Sequence, residues 1–88
     1  MQRIWKYEGR FGSELTVNIP YAGKVVKFDV QEPNFRFWVL FDDVNSTDLQ
    51  ARKFIVVPTG SSFDGEYQAT TFELNGALVW HLVELYDE

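Results

Sequence analysis

The sequence predicts an all-β fold, either a small antiparallel β-sandwich or a partly open barrel of about seven short strands. Two observations carry this prediction. Apolar and polar side chains alternate with a period of two along most of the chain, as they do in strands with one buried face. Turn-forming residues also recur about every ten residues. We interpret residues 1–88 as a single domain, because a chain of this length has room for one core.

The composition supplies the core that such a small domain needs. Hydrophobic residues make up 45% of the chain and aromatic residues 17%, with three Trp, four Tyr and eight Phe. Each ring can bury roughly 150–250 Å², which offsets the small fraction of surface that a short chain buries on folding. The rings exceed what a core of this size requires, so some of them are expected to line a binding surface.

The first half of the chain shows the clearest alternation. Residues 15–19 are predicted as a strand, which the turn-forming segment 20–23 ends. Residues 26–31 alternate in the same way, with Val26 on the apolar face. Residues 35–42 carry large apolar groups on both faces, which indicates a central strand or one covered on both sides.

The second half is predicted to alternate strands with loops. A polar loop over 43–48 precedes a strand rich in β-branched residues, and one helical turn over 45–52 is the weaker alternative there. Asn75-Gly76, between two apolar runs, is the strongest hairpin signal. The other elements are a strand over 52–57, a loop over 58–65, a strand over 67–74 and a C-terminal arm over 77–86.

Several classes of protein and partner are disfavoured by composition. The chain has no cysteine, which excludes disulfides, thiolate zinc sites and cysteine nucleophiles. The N-terminal residues lack the apolar run of a signal peptide, and no segment approaches the ~20 apolar residues of a membrane span. A net charge of −5 and a pI of about 4.7 argue against duplex nucleic acid. Local cations and backbone N–H groups can still hold a small anionic ligand.

Two short motifs resemble a known family. The chain opens with Ile4-Trp5-Lys6-Tyr7 and ends in Gly76-Ala77-Leu78-Val79-Trp80-His81, with Thr59-Gly60 between them. This combination resembles a family of small bacteriophage and prophage proteins of unknown function. The resemblance implies a viral origin and a place in the host cell cytoplasm during infection. By analogy of size and origin it also suggests an anti-defence role, such as sequestering a nucleotide-derived immune signal.

Aromatic and cationic residues form the first candidate binding set. Trp5 and Tyr7 share one face of the opening strand, and Trp38 shares a face with Arg36. Aromatic planes can stack on nucleobases, while Arg36 and Arg52 offer guanidinium groups to phosphates. The alternative is that these rings fill the core.

A loop and a histidine form the second candidate set. Thr59, Gly60 and Ser61 follow a strand, where Gly and hydroxyl residues can turn N–H groups towards an anion; an ordinary loop is the alternative. His81 is the only histidine. We predict either a ligand contact or a packed histidine there, since no nucleophile adjoins it in sequence. Asp42, Asp43 and Asp48 are read as a solvated acidic loop, so no metal and no cofactor are expected.

The leading hypothesis is a non-catalytic phage-encoded protein that binds a small nucleotide-like ligand, such as a cyclic dinucleotide or a molecule related to cyclic ADP-ribose. Because the chain is short, we expect a homo-oligomer with the ligand between subunits. The alternatives are an inhibitor or adaptor of a host protein and a small phosphodiesterase-like enzyme that uses His81. A role in the virion is also left open by the sequence.

Overall fold

The computed structural model describes residues 1–73 and 76–86, and these residues form two antiparallel sheets packed face to face. One sheet has three strands in the order β1-β4-β3, and the other has four in the order β2-β5-β7-β6. The prediction of an all-β sandwich is therefore confirmed. The strands are β1 (Gln2–Arg10), β2 (Leu15–Pro20), β3 (Lys24–Gln31), β4 (Asn34–Asp42), β5 (Leu49–Pro58), β6 (Gly65–Glu73) and β7 (Leu78–Leu85).

The central strand of the three-stranded sheet, β4, supplies the middle of the core. Its inward side chains Phe35, Phe37 and Val39 are fully buried. Phe37 meets Phe54 of β5 at 4.8 Å between ring centroids, and Leu82 of β7 is buried in the same cluster. The prediction that residues 35–42 form a central strand is confirmed. Since side chains alternate along a strand, the residues between the inward ones lie on the opposite, outward face.

A bulge in β3 changes one of the predicted core positions. The register with β4 shifts between Val25 and Lys27. Val25 is buried as a result, whereas Val26 is 47% exposed. The prediction that Val26 belongs to the apolar face is wrong, because the extra residue of a β-bulge rotates its neighbours relative to strict alternation.

The segment before β5 also differs from the prediction. A single 3-10 turn spans Asp43–Asn45, and the Asp42 carboxylate accepts a hydrogen bond from the Val44 N–H at 3.1 Å. β5 begins at Leu49 rather than at residue 52, because its first residues pair with β2. The alternative of a helical turn over 45–52 is wrong. No helix within the two described ranges is long and apolar enough to cross a membrane. Asn75, the first residue of the predicted hairpin turn, lies outside the described residues.

Gly9 allows β1 to lie close to the core. A Cβ atom at this position would come within 2.7 Å of Phe35 Cζ and 3.1 Å of Leu15 Cδ2. Both of these side chains belong to the packed interior or its margin. A larger residue here would therefore have to displace a fully buried ring.

We expect Gly9→Ala to lower the free energy of unfolding by about 1–3 kcal/mol, the usual cost of overpacking a core. The greater strand propensity of Ala would recover only about 0.5–1 kcal/mol. Urea unfolding measures the difference, with Glu8→Ala on the exposed side of the same strand as the control. The control should change the stability by no more than about 0.5 kcal/mol, and equal stabilities of the two variants would contradict the packing argument.

Candidate functional site

The structure distributes the nine candidate residues over separate surfaces. One group lies on the outward face of the three-stranded sheet, one at the margin of the core, and one on the outward face of the four-stranded sheet and the loop beside it. In that order the groups are Arg36 and Trp38; Trp5, Tyr7 and Arg52; and Thr59, Gly60, Ser61 and His81.

Trp38 lies at the centre of the outward face of the three-stranded sheet, which we call the Trp38 face. The strand register places Lys6 of β1 on one side of it and Lys27 of β3 on the other. The Lys27 ammonium is 5.3 Å from the centroid of the Trp38 ring. Ile4, which is 54% exposed, and the half-buried Leu40 continue the apolar part of the face. The Trp38 indole, which is partly buried, therefore lies on the outward surface of the sheet between two cations.

The Trp38 face is locally cationic on an acidic chain. Five of the eight Lys and Arg residues lie on it by strand alternation, together with three carboxylates. Arg36 bonds to the Gln31 side chain and lies 3.9 Å from an Asp29 carboxylate oxygen. Among the described residues, no carboxylate lies within 4 Å of the ammonium groups of Lys6, Lys24 and Lys27 on this face. The cations are Lys6, Arg10, Lys24, Lys27 and Arg36, and the carboxylates are Glu8, Asp29 and Asp42.

Trp5 and Tyr7 do not join this face, because they occupy the inward positions of β1. The Trp5 ring packs edge-on against Phe41 at 4.6 Å, and the Tyr7 ring stacks on Phe37 at 5.5 Å. The Tyr7 hydroxyl donates to the Asn18 carbonyl oxygen at 3.0 Å. Both rings close the margin of the core. The shared face of Trp5 and Tyr7 is thus observed, but it is directed between the sheets.

Burial raises the pKa of the Tyr7 phenol, and the positive charge of Arg52 offsets part of this increase. As the pH rises above the ordinary tyrosine value of about 10, the unfolded phenol loses its proton before the folded one. Ionisation then favours the unfolded chain, so the stability due to Tyr7 is present below that pH and is lost above it.

We expect Tyr7→Phe to show a smaller loss of stability than the wild type between about pH 9 and 11. Urea unfolding at a series of pH values provides the measurement. Tyr86→Phe, at an exposed C-terminal position, is the matched control and should follow the wild-type curve. Parallel curves for Tyr7→Phe and the wild type would contradict this role of burial.

Arg52 is held within the protein by three hydrogen bonds. Its Nε and Nη2 atoms donate to the two Glu84 carboxylate oxygens at 2.7 and 2.6 Å, and Nη1 donates to the Gly23 carbonyl oxygen at 2.7 Å. Gln68 adds a 3.3 Å hydrogen bond to Glu84. The guanidinium links β5 to β7 and to the turn between β2 and β3. The predicted role of Arg52 as a phosphate ligand has little geometric support, because Glu84 already neutralises its charge and these contacts use three of its five N–H donors.

Arg52→Met should lower the free energy of unfolding by about 2 kcal/mol, because it leaves the Glu84 carboxylate partly buried without its charged donor. This corresponds to a decrease in Tm of roughly 10 °C for a domain of this size. Lys53→Met, the same change at the next residue of β5, is the control and should remain within about 0.5 kcal/mol of the wild type. A Tm for Arg52→Met equal to that of the control would show that the ion pair contributes nothing.

His81 lies on the outward face of β5, β7 and β6, which we call the His81 face. Its Nε2 atom is 2.8 Å from the Thr59 hydroxyl, and its Nδ1 atom is 2.9 Å from the Thr70 hydroxyl. The Tyr67 hydroxyl is 2.7 Å from the same Thr70 oxygen. The apolar residues of this face that remain accessible are the partly buried Ile55, Val57, Val79 and Leu85 and the exposed Phe72. Val83 lies on the same side of β7 but is fully buried.

The sequence analysis identified Thr59 and His81 but missed Thr70 and Tyr67. The predicted hairpin could have identified Thr70. In a hairpin with a two-residue turn at 75–76, the two residues of each facing pair have numbers that add up to 151. That arithmetic pairs Thr70 with His81, as observed. Gly60 and Ser61 lie in the turn after β5, where Gly60 has a φ of +95° and the Ser61 N–H donates to the Pro58 carbonyl oxygen at 3.2 Å.

The described surface offers shallow clefts rather than a deep pocket. One cleft of about 300 Å³ lies around Arg52, Glu66 and Glu84, and another of about 300 Å³ lies between Thr59 and Trp80. These volumes are at the lower end of the roughly 300–1,000 Å³ of small-molecule sites.

A comparison with protein families gives one finding about the whole chain. A family model described as a domain of unknown function, DUF7352, matches residues 1–88. No curated protein and no solved structure matches the chain. The family description states neither an organism nor a ligand, so the resemblance to phage proteins stays a prediction.

Proposed function

This chain belongs to the DUF7352 family, a domain of unknown function, and we propose that it is a non-catalytic binding protein for a nucleotide-derived ligand. The observation that carries the proposal is the position of the partly buried Trp38 on an outward sheet face between Lys6 and Lys27. An aromatic plane with cations beside it matches the two parts of a nucleotide, a flat base and an anionic phosphate.

The Lys27 ammonium that lies over the Trp38 ring does not prevent a base from stacking there. A cation–π contact on an exposed surface contributes about 0.5–1 kcal/mol. Base stacking on an aromatic side chain contributes about 1–3 kcal/mol. A base can therefore replace the ammonium over the ring at a net gain, and the displaced lysine becomes available to a phosphate.

The lysines that flank Trp38 favour an anion near either edge of the stacked base. Lys6 and Lys27 belong to the two strands on either side of β4, and such strands are roughly 10 Å apart. Arg36 is two residues from Trp38 on the same face, although its contacts with Asp29 and Gln31 already use part of its guanidinium. Cyclic dinucleotides and molecules related to cyclic ADP-ribose combine planar bases with phosphates in this way.

Sequestration in an infected bacterium is the setting that the resemblance to phage proteins implies. Sequestration requires binding without chemistry. The phosphodiesterase-like alternative depends on His81, whose two ring nitrogens are each within hydrogen-bond distance of a threonine hydroxyl. His81 also belongs to the four-stranded sheet, whereas Trp38 belongs to the three-stranded sheet. If His81 were catalytic, it would therefore lie on a different surface from a base stacked on Trp38.

Calorimetric titration with cyclic dinucleotides, cyclic ADP-ribose isomers, AMP and inorganic phosphate tests the proposal. We expect a base-containing anion to bind more tightly than inorganic phosphate, and Trp38→Ala to weaken that binding about tenfold or more. Phe63→Ala, which removes an exposed ring from the loop after β5, is the matched control and should bind like the wild type.

A second pair of variants tests the contribution of the lysines to phosphate binding. Lys27→Gln should weaken binding and reduce its dependence on salt, because one phosphate contact is lost. Lys53→Gln, on the other sheet, should have neither effect. Folded wild-type protein that binds no member of the panel, or variants at Trp38 and Phe63 with equal affinities, would refute the proposal.

A further inference from the structure

The His81 face combines exposed rings with very little charge. Phe72 is 65% exposed and Tyr67 is 56% exposed, and they lie beside the outward aliphatic residues of β5 and β7. Among the described residues, Lys53 is the charged side chain on this face, and it lies at the rim 4.0 Å from Glu14. Two exposed rings beside partly buried aliphatic side chains form an apolar patch of the kind that marks an interaction site on a small protein.

The polar side chains on this face already have partners within the chain. The imidazole of His81 lies between the hydroxyls of Thr59 and Thr70, and the Tyr67 hydroxyl lies against Thr70. A covering surface therefore does not need to supply hydrogen bonds to them. Burying polar groups is costly mainly when it leaves donors or acceptors unpaired, so this face can be covered by an apolar surface at little cost.

We infer that the occupant of the His81 face is a second copy of this chain, related by a two-fold axis. Each chain carries a net charge of −5, so two copies repel one another, and this repulsion is smallest when they meet on a surface without carboxylates. The described part of the His81 face is such a surface. A two-fold interface requires only that one patch be complementary to itself. The described part of this face offers little charge to steer the approach of a different protein.

The size of the face agrees with a weak but specific dimer. With strands about 4.8 Å apart and about 3.3 Å per residue, the three strands of this face, each of eight to ten residues, give a surface of roughly 15 by 30 Å. Two copies then bury on the order of 1,000 Å² in total, the lower limit of a specific interface. Interfaces of this size are typically weak, so we expect a dissociation constant on the order of 10 µM.

This dimer goes beyond ligand binding on the Trp38 face and does not depend on it. The His81 face and the Trp38 face are the outward surfaces of opposite sheets. The dimer would therefore carry two Trp38 faces directed away from each other, so each ligand would contact one subunit. A homo-oligomer was expected from the sequence, but with the ligand between subunits; the present proposal separates the two surfaces.

Sedimentation velocity over about 1–500 µM protein tests the dimer, since this range brackets the expected dissociation constant. Phe72→Glu and Tyr67→Lys place charges of opposite sign on the His81 face, and each should raise the dissociation constant about tenfold or more. Val44→Glu, at an 81% exposed position in the 3-10 turn, matches the first variant in charge. It should change the constant less than about threefold.

Several results would overturn the inference. A wild-type chain that remains monomeric up to about 500 µM would do so, as would a dimer that persists in both face variants. If Phe72→Glu and Val44→Glu raised the dissociation constant equally, the cause would be the overall charge of the chain and not the His81 face. Circular dichroism shows whether each variant is folded. We expect all three to fold, because the substituted positions are exposed. Stoichiometric capture of a different protein by a monomeric wild-type chain would identify another occupant.

Discussion

The packing of Phe35, Phe37 and Val39 between the two sheets is the constraint on which the other features depend. These three residues of β4 are fully buried, and alternation along the strand then directs Arg36 and Trp38 outward. The same packing draws Trp5 and Tyr7 inward, because β1 pairs with β4 and its facing rings meet Phe41 and Phe37. The buried rings thus determine which aromatic side chains remain available to a ligand.

A second consequence of the sandwich is that both sheets have an outward face, and the two faces differ in chemistry. The Trp38 face carries most of the cations of an acidic chain around a single indole. The His81 face carries aliphatic and aromatic side chains and a row of mutually bonded polar groups. The first suits an anionic planar ligand and the second suits an apolar protein surface. The ligand binding and the dimer that we propose would therefore use separate surfaces of one small fold.

Arg52 illustrates how a residue type that suggests binding can have a structural role. From the sequence, an arginine among aromatic residues indicates a phosphate contact. In the structure its donors bond to Glu84 and to the Gly23 carbonyl oxygen. The sequence separation of 32 residues between Arg52 and Glu84 hides this ion pair, because only the pairing of β5 with β7 brings the two together. His81 and Thr70 differ in this respect, because the hairpin register alone relates them.

The sequence by itself determined the all-β class, the central position of residues 35–42, and the shared faces of Trp5 with Tyr7 and of Arg36 with Trp38. These features are local, since a period of two along one strand records which side chains lie on the same side. Tertiary structure alone decided which of those faces is buried, that Val26 is turned outward by a bulge, and that Arg52 is held by Glu84. The reason is that strand order and register depend on contacts between residues far apart in the chain, which alternation within a single strand does not encode.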